Sequence, residues 1–256
     1  MQRIVIKVGT HVLTDQNRIA RERIMNLITL IAKLMERYEV ILVSSGAVAS
    51  GYTKLKLDKK ELCNKQALCA IGQPYLISVY QKKLEKFGFL VGQILLTADD
   101  FDSRKRTQNA KKAVEALLKN RVLPIINEND ATAIEELVFG DNDQLSSRAA
   151  YYFDADMLVI LSDIDGYYDK DPKKEENAKM LKVVNRINPK DLEEDCTPNH
   201  SFATGGIVTK LKAVDFLLKR GKRVFLSSGF DLTDVENYLL HGRHTGGTLF
   251  ENGEVK

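Results

Sequence analysis

The stretch GDNDQLSSRAAYYFDADMLVILSDIDGYYDKDP, residues 140–172, decides how the rest of the chain is read. It opens with Gly140, Asp141, Asn142 and Asp143, a glycine and three polar side chains set just ahead of a segment, 144–153, that reads as a helix. Asp143 is the expected N-cap of that helix, because a carboxylate there can accept from backbone amides that have no intrahelical partner. Residues 157–161, Met-Leu-Val-Ile-Leu, form an unbroken apolar run between Asp156 and Ser162, the pattern of a strand covered on both faces of a parallel sheet. Ser162 and Asp163 then fall at the carboxyl end of that strand, the edge at which open α/β sheets bind ligands. The polar cluster beyond it, Asp165, Gly166, Asp169, Asp171 and Pro172, reads as a turn.

Toward the amino terminus strands and helices alternate in the same way. Residues 4–8 are a strand that carries Lys7 and ends at Gly9-Thr10. A lysine there is either solvated or aimed at a bound phosphate, and the spacing alone leaves both open. An amphipathic helix is expected over 19–38 and a strand over 40–43. That strand runs into Ser44-Ser45-Gly46-Ala47, small residues that either cap and pack a helix or expose its first amides to an anion. Residues 60–87 read as one or two helices interrupted near Gly72 to Pro74, a scaffold or a subunit contact. A strand at 91–97, a helix at 107–120 and a buried strand at 122–126 follow, and alternation of this kind implies a parallel sheet. Asn127, Glu128, Asn129 and Asp130 close that last strand, and 131–139 reads as a short hairpin that brings this cluster beside Gly140 to Asp143. Two such clusters face to face would hold a polar substrate.

Beyond the decisive stretch come a modest strand at 181–187, the segment TGGIVTK at 204–210, a helix continuing from it, a strand at 223–227, a helix at 232–240 and a last strand at 247–250. The glycine pair either turns the chain or presents amides to an anion, with Lys210 about one turn into the helix. The GxxxxGK[ST] spacing of a Walker A loop is absent.

The 256 residues suit one α/β domain, and 44% hydrophobic residues suffice for a large core. A net charge of +3 from 38 basic and 35 acidic side chains gives no ground for expecting nucleic acid. Cys63, Cys69 and Cys196 lack metal-ligand spacing and are expected as reduced, buried thiols of a cytoplasmic protein. The four histidines show no ligand spacing either, so no metal held by protein alone is expected. With no apolar run of 18 residues and a strand at the very start, neither a membrane span nor a signal peptide is expected.

Five pieces stand in a specific order: KVGT from Lys7, SSGA from Ser44, NEND from Asn127, GDND from Gly140 and TGGIVTK from Thr204. Together they resemble the amino acid kinase family over nearly the whole chain, and KVGT with SSGAVASG resembles its members that act on L-glutamate. The resemblance implies a three-layer α/β/α sandwich with a mainly parallel sheet, one kinase domain over 1–256 and no PUA domain after it. It further implies ATP with Mg²⁺ as phosphoryl donor, L-glutamate as acceptor in the first step of proline biosynthesis, proline as feedback inhibitor, and a homo-oligomer. By the same resemblance Lys7 and Lys210 are catalytic and Asp143 organises them, while Ser45, Asp130 and Asn142 contact the acceptor. The nucleotide falls to Lys7, Ser162, Asp163 and the run Thr204, Gly205, Gly206, Ile207, Val208, Thr209 and Lys210. Rival readings are a kinase of the same fold for N-acetylglutamate or aspartate, and a non-catalytic nucleotide or amino-acid sensor.

Overall fold

The structure, a computed structural model, describes residues 1–15, 18–133, 142–170, 172, 174–175, 177–193 and 206–253. Among them eight strands build one sheet. Its middle is β1 (Gln2–Val8), with β4 (Tyr38–Ser44) on one side and β7 (Met157–Ser162) on the other, both parallel to it. Outward from β4 lie β6 (Val122–Glu128) and the edge strand β5 (Leu90–Leu96); outward from β7 lies β9 (Arg223–Ser228). These six strands all run the same way, so their carboxyl ends share one edge of the sheet. β10 (Thr248–Phe250) turns back antiparallel to β9, and the two-residue β8 (Val183–Val184) pairs with β10. The short hairpin β2 (Thr14–Asp15) and β3 (Arg18–Ile19) stands apart.

Helices cover both faces of the sheet, and the period of two in β1 assigns the layers. Ile4, Ile6 and Val8 point into one core with α2 (Arg21–Met35), α4 (Leu62–Leu84) and α9 (Thr233–His241). Val5 points into the other, shared with α6 (Arg104–Lys119), α7 (Asp143–Tyr152) and α8 (Gly206–Leu218). Lys7 has the parity of Val5. Its ammonium is therefore sent toward α7 and α8, and the sandwich is three-layered with a mainly parallel sheet, as expected.

Three short helices remain: α1 (Thr10–Leu13), α3 (Ala47–Tyr52) and α5 (Ala98–Asp102). Helix α3 leaves β4 through Gly46, whose φ of 98° is left-handed and suits glycine. It packs against α4 at backbone distance, since a Cβ added at Gly72 would stand 1.8 Å from the carbonyl oxygen of Ala47.

Several local expectations are corrected. Helix α4 is continuous through Pro74. The proline gives up one backbone hydrogen bond, but buried Leu68, Cys69, Leu76 and Tyr80 on either side hold the turn by packing. The strand expected at 181–187 shrinks to Val183–Val184, where β10 offers an edge of only three residues. Asp143 is not the N-cap: Asn142 holds that position without a side-chain cap bond, and Asp143 is the first residue of α7. The hairpin expected at 131–139 lies outside the described residues from 134 on, as do Thr204, Gly205 and Cys196. Cys63 is exposed rather than buried.

Candidate active site

The carboxyl ends of the parallel strands gather almost every residue singled out in the sequence. Lys7, one residue from the end of β1, is 1% exposed, which discards the solvated alternative. Its Nζ lies 2.6 Å from Oδ1 of Asp143. Lys210 of α8, 6% exposed, reaches the other oxygen of the same carboxylate, with Nζ 3.1 Å from Oδ2. Lys210 also donates to the Gly206 carbonyl at 2.9 Å, and Thr209 Oγ1 donates to Asp143 Oδ2 at 3.2 Å. Asp143 itself is 0% exposed. The physical reason that it does not cap its own helix is then plain: both of its oxygens are taken by ammonium groups.

Of these three buried side chains two are cations and one is an anion. Burying ions is costly unless they are paired and hydrogen-bonded, and here Asp143 pairs with both ammonium groups at once. Two ammonium groups held this close together are suited to receive an anion.

Asn142, the neighbour of Asp143, joins the cluster to the strand ends beside it. Its Nδ2 donates to the Ser44 carbonyl at 3.1 Å, to Ser45 Oγ at 3.1 Å and to Asn127 Oδ1 at 2.7 Å. The Ser44 carbonyl can only accept, which fixes the amide with its nitrogen on that side. Its Oδ1 is left buried and takes no hydrogen bond among the described residues. Asn127 donates in turn to Gln73 Oε1 at 2.7 Å and accepts the Glu128 amide at 2.9 Å.

Next to these groups opens a cavity of about 200 Å³ lined by Thr10, Ser45, the segment Gly46 to Ala49, Lys59, Lys65, Asn127 and Asp130. Asp130 is 8% exposed; it accepts from Cys69 Sγ on Oδ2 at 3.1 Å, while Oδ1 takes no hydrogen bond among the described residues. Burial pushes its carboxyl up to about 6, against the opposing pull of the Cys69 thiol. A carboxylate kept this basic, with one oxygen that takes no hydrogen bond among the described residues, suits a cation.

On the other flank of β1, Ser162 at the end of β7 donates to Asp163 Oδ1 at 3.0 Å, and His11 Nδ1 lies 3.4 Å from Asp163 Oδ2. Burial pushes the Asp163 carboxyl up, but the Ser162 hydroxyl, its own backbone amide, His11 and Lys210 together hold it below the usual value. The field of Lys210 therefore reaches this pair. Gly206, Ile207 and Val208 form the first turn of α8 beside it.

Ser45, Asp130, Asn142, Asp143, Lys7 and Lys210 thus converge on one edge of the sheet, with Ser162 and Asp163 next to them. Lys59 and Lys65 on the cavity wall carry no motif: Lys59 sits in a charged stretch between α3 and α4 and Lys65 in the first turn of α4, and the packing of those helices brings them to the cavity. Among the described residues no group of three or more His, Cys, Asp or Glu could hold a metal ion, and no helix is long and apolar enough to cross a membrane.

Residues 2–228 match the model of the amino acid kinase family. The chain is 55% identical to a glutamate 5-kinase of Wolinella succinogenes over 99% of both chains. It is 56% identical to one of Leishmania donovani, over 98% of this chain and 95% of that one. Among solved structures, carbamate kinase from Giardia lamblia bound to AMP-PNP superposes with a TM-score of 0.66 at 16% identity, over 98% of this chain and 99% of that one, a likeness of fold.

Proposed function

The chain belongs to the amino acid kinase family, and from that premise we propose that it transfers the γ-phosphoryl group of ATP to the side-chain carboxylate of L-glutamate. A carboxylate oxygen of glutamate attacks the γ-phosphorus, the bond to the β–γ bridging oxygen breaks, and ADP and L-glutamyl 5-phosphate leave. The observation that carries this reading is the pair of buried ammonium groups, from β1 and α8, on the two oxygens of Asp143.

The chemistry needs that pair. An anionic nucleophile must approach an anionic phosphoryl group, and two unit charges about 4 Å apart at an effective dielectric of about 20 repel by roughly 4 kcal/mol. Left uncompensated, this term alone slows the step about a thousandfold. Lys7 and Lys210 offset it from two sides, and Asp143 holds both in place before substrate arrives. Phosphoryl transfer asks the protein for in-line placement and charge stabilisation rather than for a nucleophile or a general base.

Glutamate occupies the cavity lined by Ser45 and Asp130. Its ammonium meets the Oδ1 atoms of Asp130 and Asn142, buried and without a hydrogen bond among the described residues, and its α-carboxylate meets Lys59, Lys65 and the Ser45 hydroxyl. ATP lies across the ends of β7 and the start of α8, against Ser162, Asp163, Gly206 to Thr209 and both catalytic lysines. Mg²⁺ arrives bound to the nucleotide phosphates, which suits a site whose own acidic groups are engaged elsewhere; it supplies further charge neutralisation there. Proline acts as feedback inhibitor and the protein works as a cytoplasmic homo-oligomer; these points rest on the family resemblance.

ADP release should depend on added L-glutamate, and hydroxylamine should trap the acyl phosphate as a hydroxamate. Release that depends on N-acetylglutamate or aspartate instead would replace the substrate. ATP binding without acceptor-dependent release would replace the enzyme with a sensor.

A further inference from the structure

Helix α4, expected from its sequence only as a scaffold or subunit contact, turns a row of polar side chains toward the strand ends beside the acceptor cavity. Cys69, Gln73 and Tyr80 are all buried. At 3.6 residues per turn they lie within about 40° of one another around the helix, so they share one face. Each holds a strand end. The Tyr80 hydroxyl is 2.9 Å from Ser44 Oγ, Gln73 accepts from Asn127, and Cys69 donates to Asp130.

The first two of these anchor groups that are also fixed by other bonds. Asn127 is oriented by the Glu128 amide as well as by Gln73, and Ser44 Oγ also donates to the Ser45 carbonyl at 3.1 Å. Asp130 is different. The Cys69 thiol is the hydrogen-bond donor to its carboxylate among the described residues; Asp130 lines the cavity, and its buried Oδ1 takes no hydrogen bond among them.

Building on the glutamate reading above, we propose that Cys69 is a positioning residue for the acceptor: its thiol pins Oδ2 of Asp130, so that Oδ1 stands toward the cavity and takes the substrate ammonium. A thiol suits this task because it is a weak donor. It fixes the rotamer of the carboxylate while leaving its negative charge nearly undiminished for the ligand. A strong donor such as an ammonium or guanidinium would orient Asp130 equally well and compete with glutamate for it.

The test is the steady-state kinetics of the full chain, with glutamate and ATP varied in turn. Cys69→Ala should raise KM for glutamate about tenfold, the effect of one hydrogen bond to a buried charged group. The value of kcat and the KM for ATP should stay within about twofold, because the phosphoryl lysines are untouched. Cys69→Ser keeps a donor and should recover most of the loss; its melting temperature also guards against a misfolded alanine variant. The inflection in log KM for glutamate against pH should move upward in Cys69→Ala, since the lost bond favours ionised Asp130. Among the described residues, Lys59 and Lys65 on the cavity wall and Glu128 on β6 are the other charged groups near that carboxylate, and the substitution leaves them in place.

In an Asp130→Asn background Cys69→Ala should add less than twofold. Full additivity there, an unchanged KM in the single variant, or equal losses in kcat and in affinity for both substrates would overturn the proposal and leave Cys69 as packing. A wild-type protein that forms no ADP with glutamate would instead remove the reading on which it rests.

Discussion

Replacing Asp143 by asparagine keeps the shape of the residue and removes the charge that holds the site together. In the wild-type protein its two oxygens face Lys7 Nζ at 2.6 Å and Lys210 Nζ at 3.1 Å, with all three side chains buried. Asp143→Asn leaves two buried ammonium groups sharing a neutral amide, and removes one negative charge from the cluster. Breaking a buried pair by removing one partner costs about 3–5 kcal/mol. For a domain of this size each kcal/mol moves the melting temperature by roughly 2–4 °C, so a fall of about 6–20 °C is expected. Thermal unfolding followed by circular dichroism at pH 7 measures it. Inorganic pyrophosphate should raise the melting temperature of the variant by more than it raises that of the wild type, because the anion supplies negative charge that the substitution has removed. Lys7→Met combined with Asp143→Asn should be less destabilised than the sum of the single variants, since the cation and its lost partner leave together. Turnover should fall at least a hundredfold in each variant. If Asp143→Asn melts within about 1 °C of the wild type, the charge argument for this site is wrong.

Lys210→Ala should lower kcat by about a hundredfold to a thousandfold while changing KM for glutamate less than threefold, as measured by coupled ADP release; unchanged turnover would remove Lys210 from the chemistry. KM for glutamate at saturating ATP should climb as pH falls through about 6, because protonated Asp130 cannot pair with an ammonium, and Asp130→Asn should abolish that inflection. The folded protein binds this proton more tightly than the unfolded chain does, so ionised Asp130 costs stability that is lost as pH rises from about 4 through 6; Asp130→Asn should therefore melt higher than wild type at pH 8 while binding glutamate worse. Gly72→Ala would drive a Cβ to 1.8 Å from the Ala47 carbonyl oxygen, and should cost about 1–3 kcal/mol in urea unfolding together with a raised KM for glutamate, since Ala47 lines the cavity.

The layers of the fold were legible because apolar runs and periodicities are local. The run at 157–161 became β7 with one residue added, and the helical spacing over 19–38 became α2, shortened at both ends. The convergence of Lys7, Ser45, Asn127 and Asp143 was legible for a different reason: each lies at the end of an expected parallel strand or the start of a helix, and parallel strands share one carboxyl edge. What could not be read was settled by groups distant in the sequence. Pro74 argues locally for a break, and the packing of α4 on both sides of it argues more strongly for continuity. Cys69 looks like a small apolar residue until β6 brings Asp130 within 3.1 Å of its sulfur.

Asp143 shows where local and long-range demands divide. Its position before an amphipathic segment favours a cap, and its actual partners come from β1 and α8, more than sixty residues away on the carboxyl side. Such departures from local rules concentrate at functional sites. Here they share a direction: the phosphoryl side gathers two ammonium groups on one carboxylate, and the acceptor side keeps a desolvated carboxylate, one oxygen of which takes no hydrogen bond among the described residues. Each arrangement favours a ligand of opposite sign. Affinity and specificity then have one physical source, the charge that the fold gathers on either side of Asn142 and Asp143.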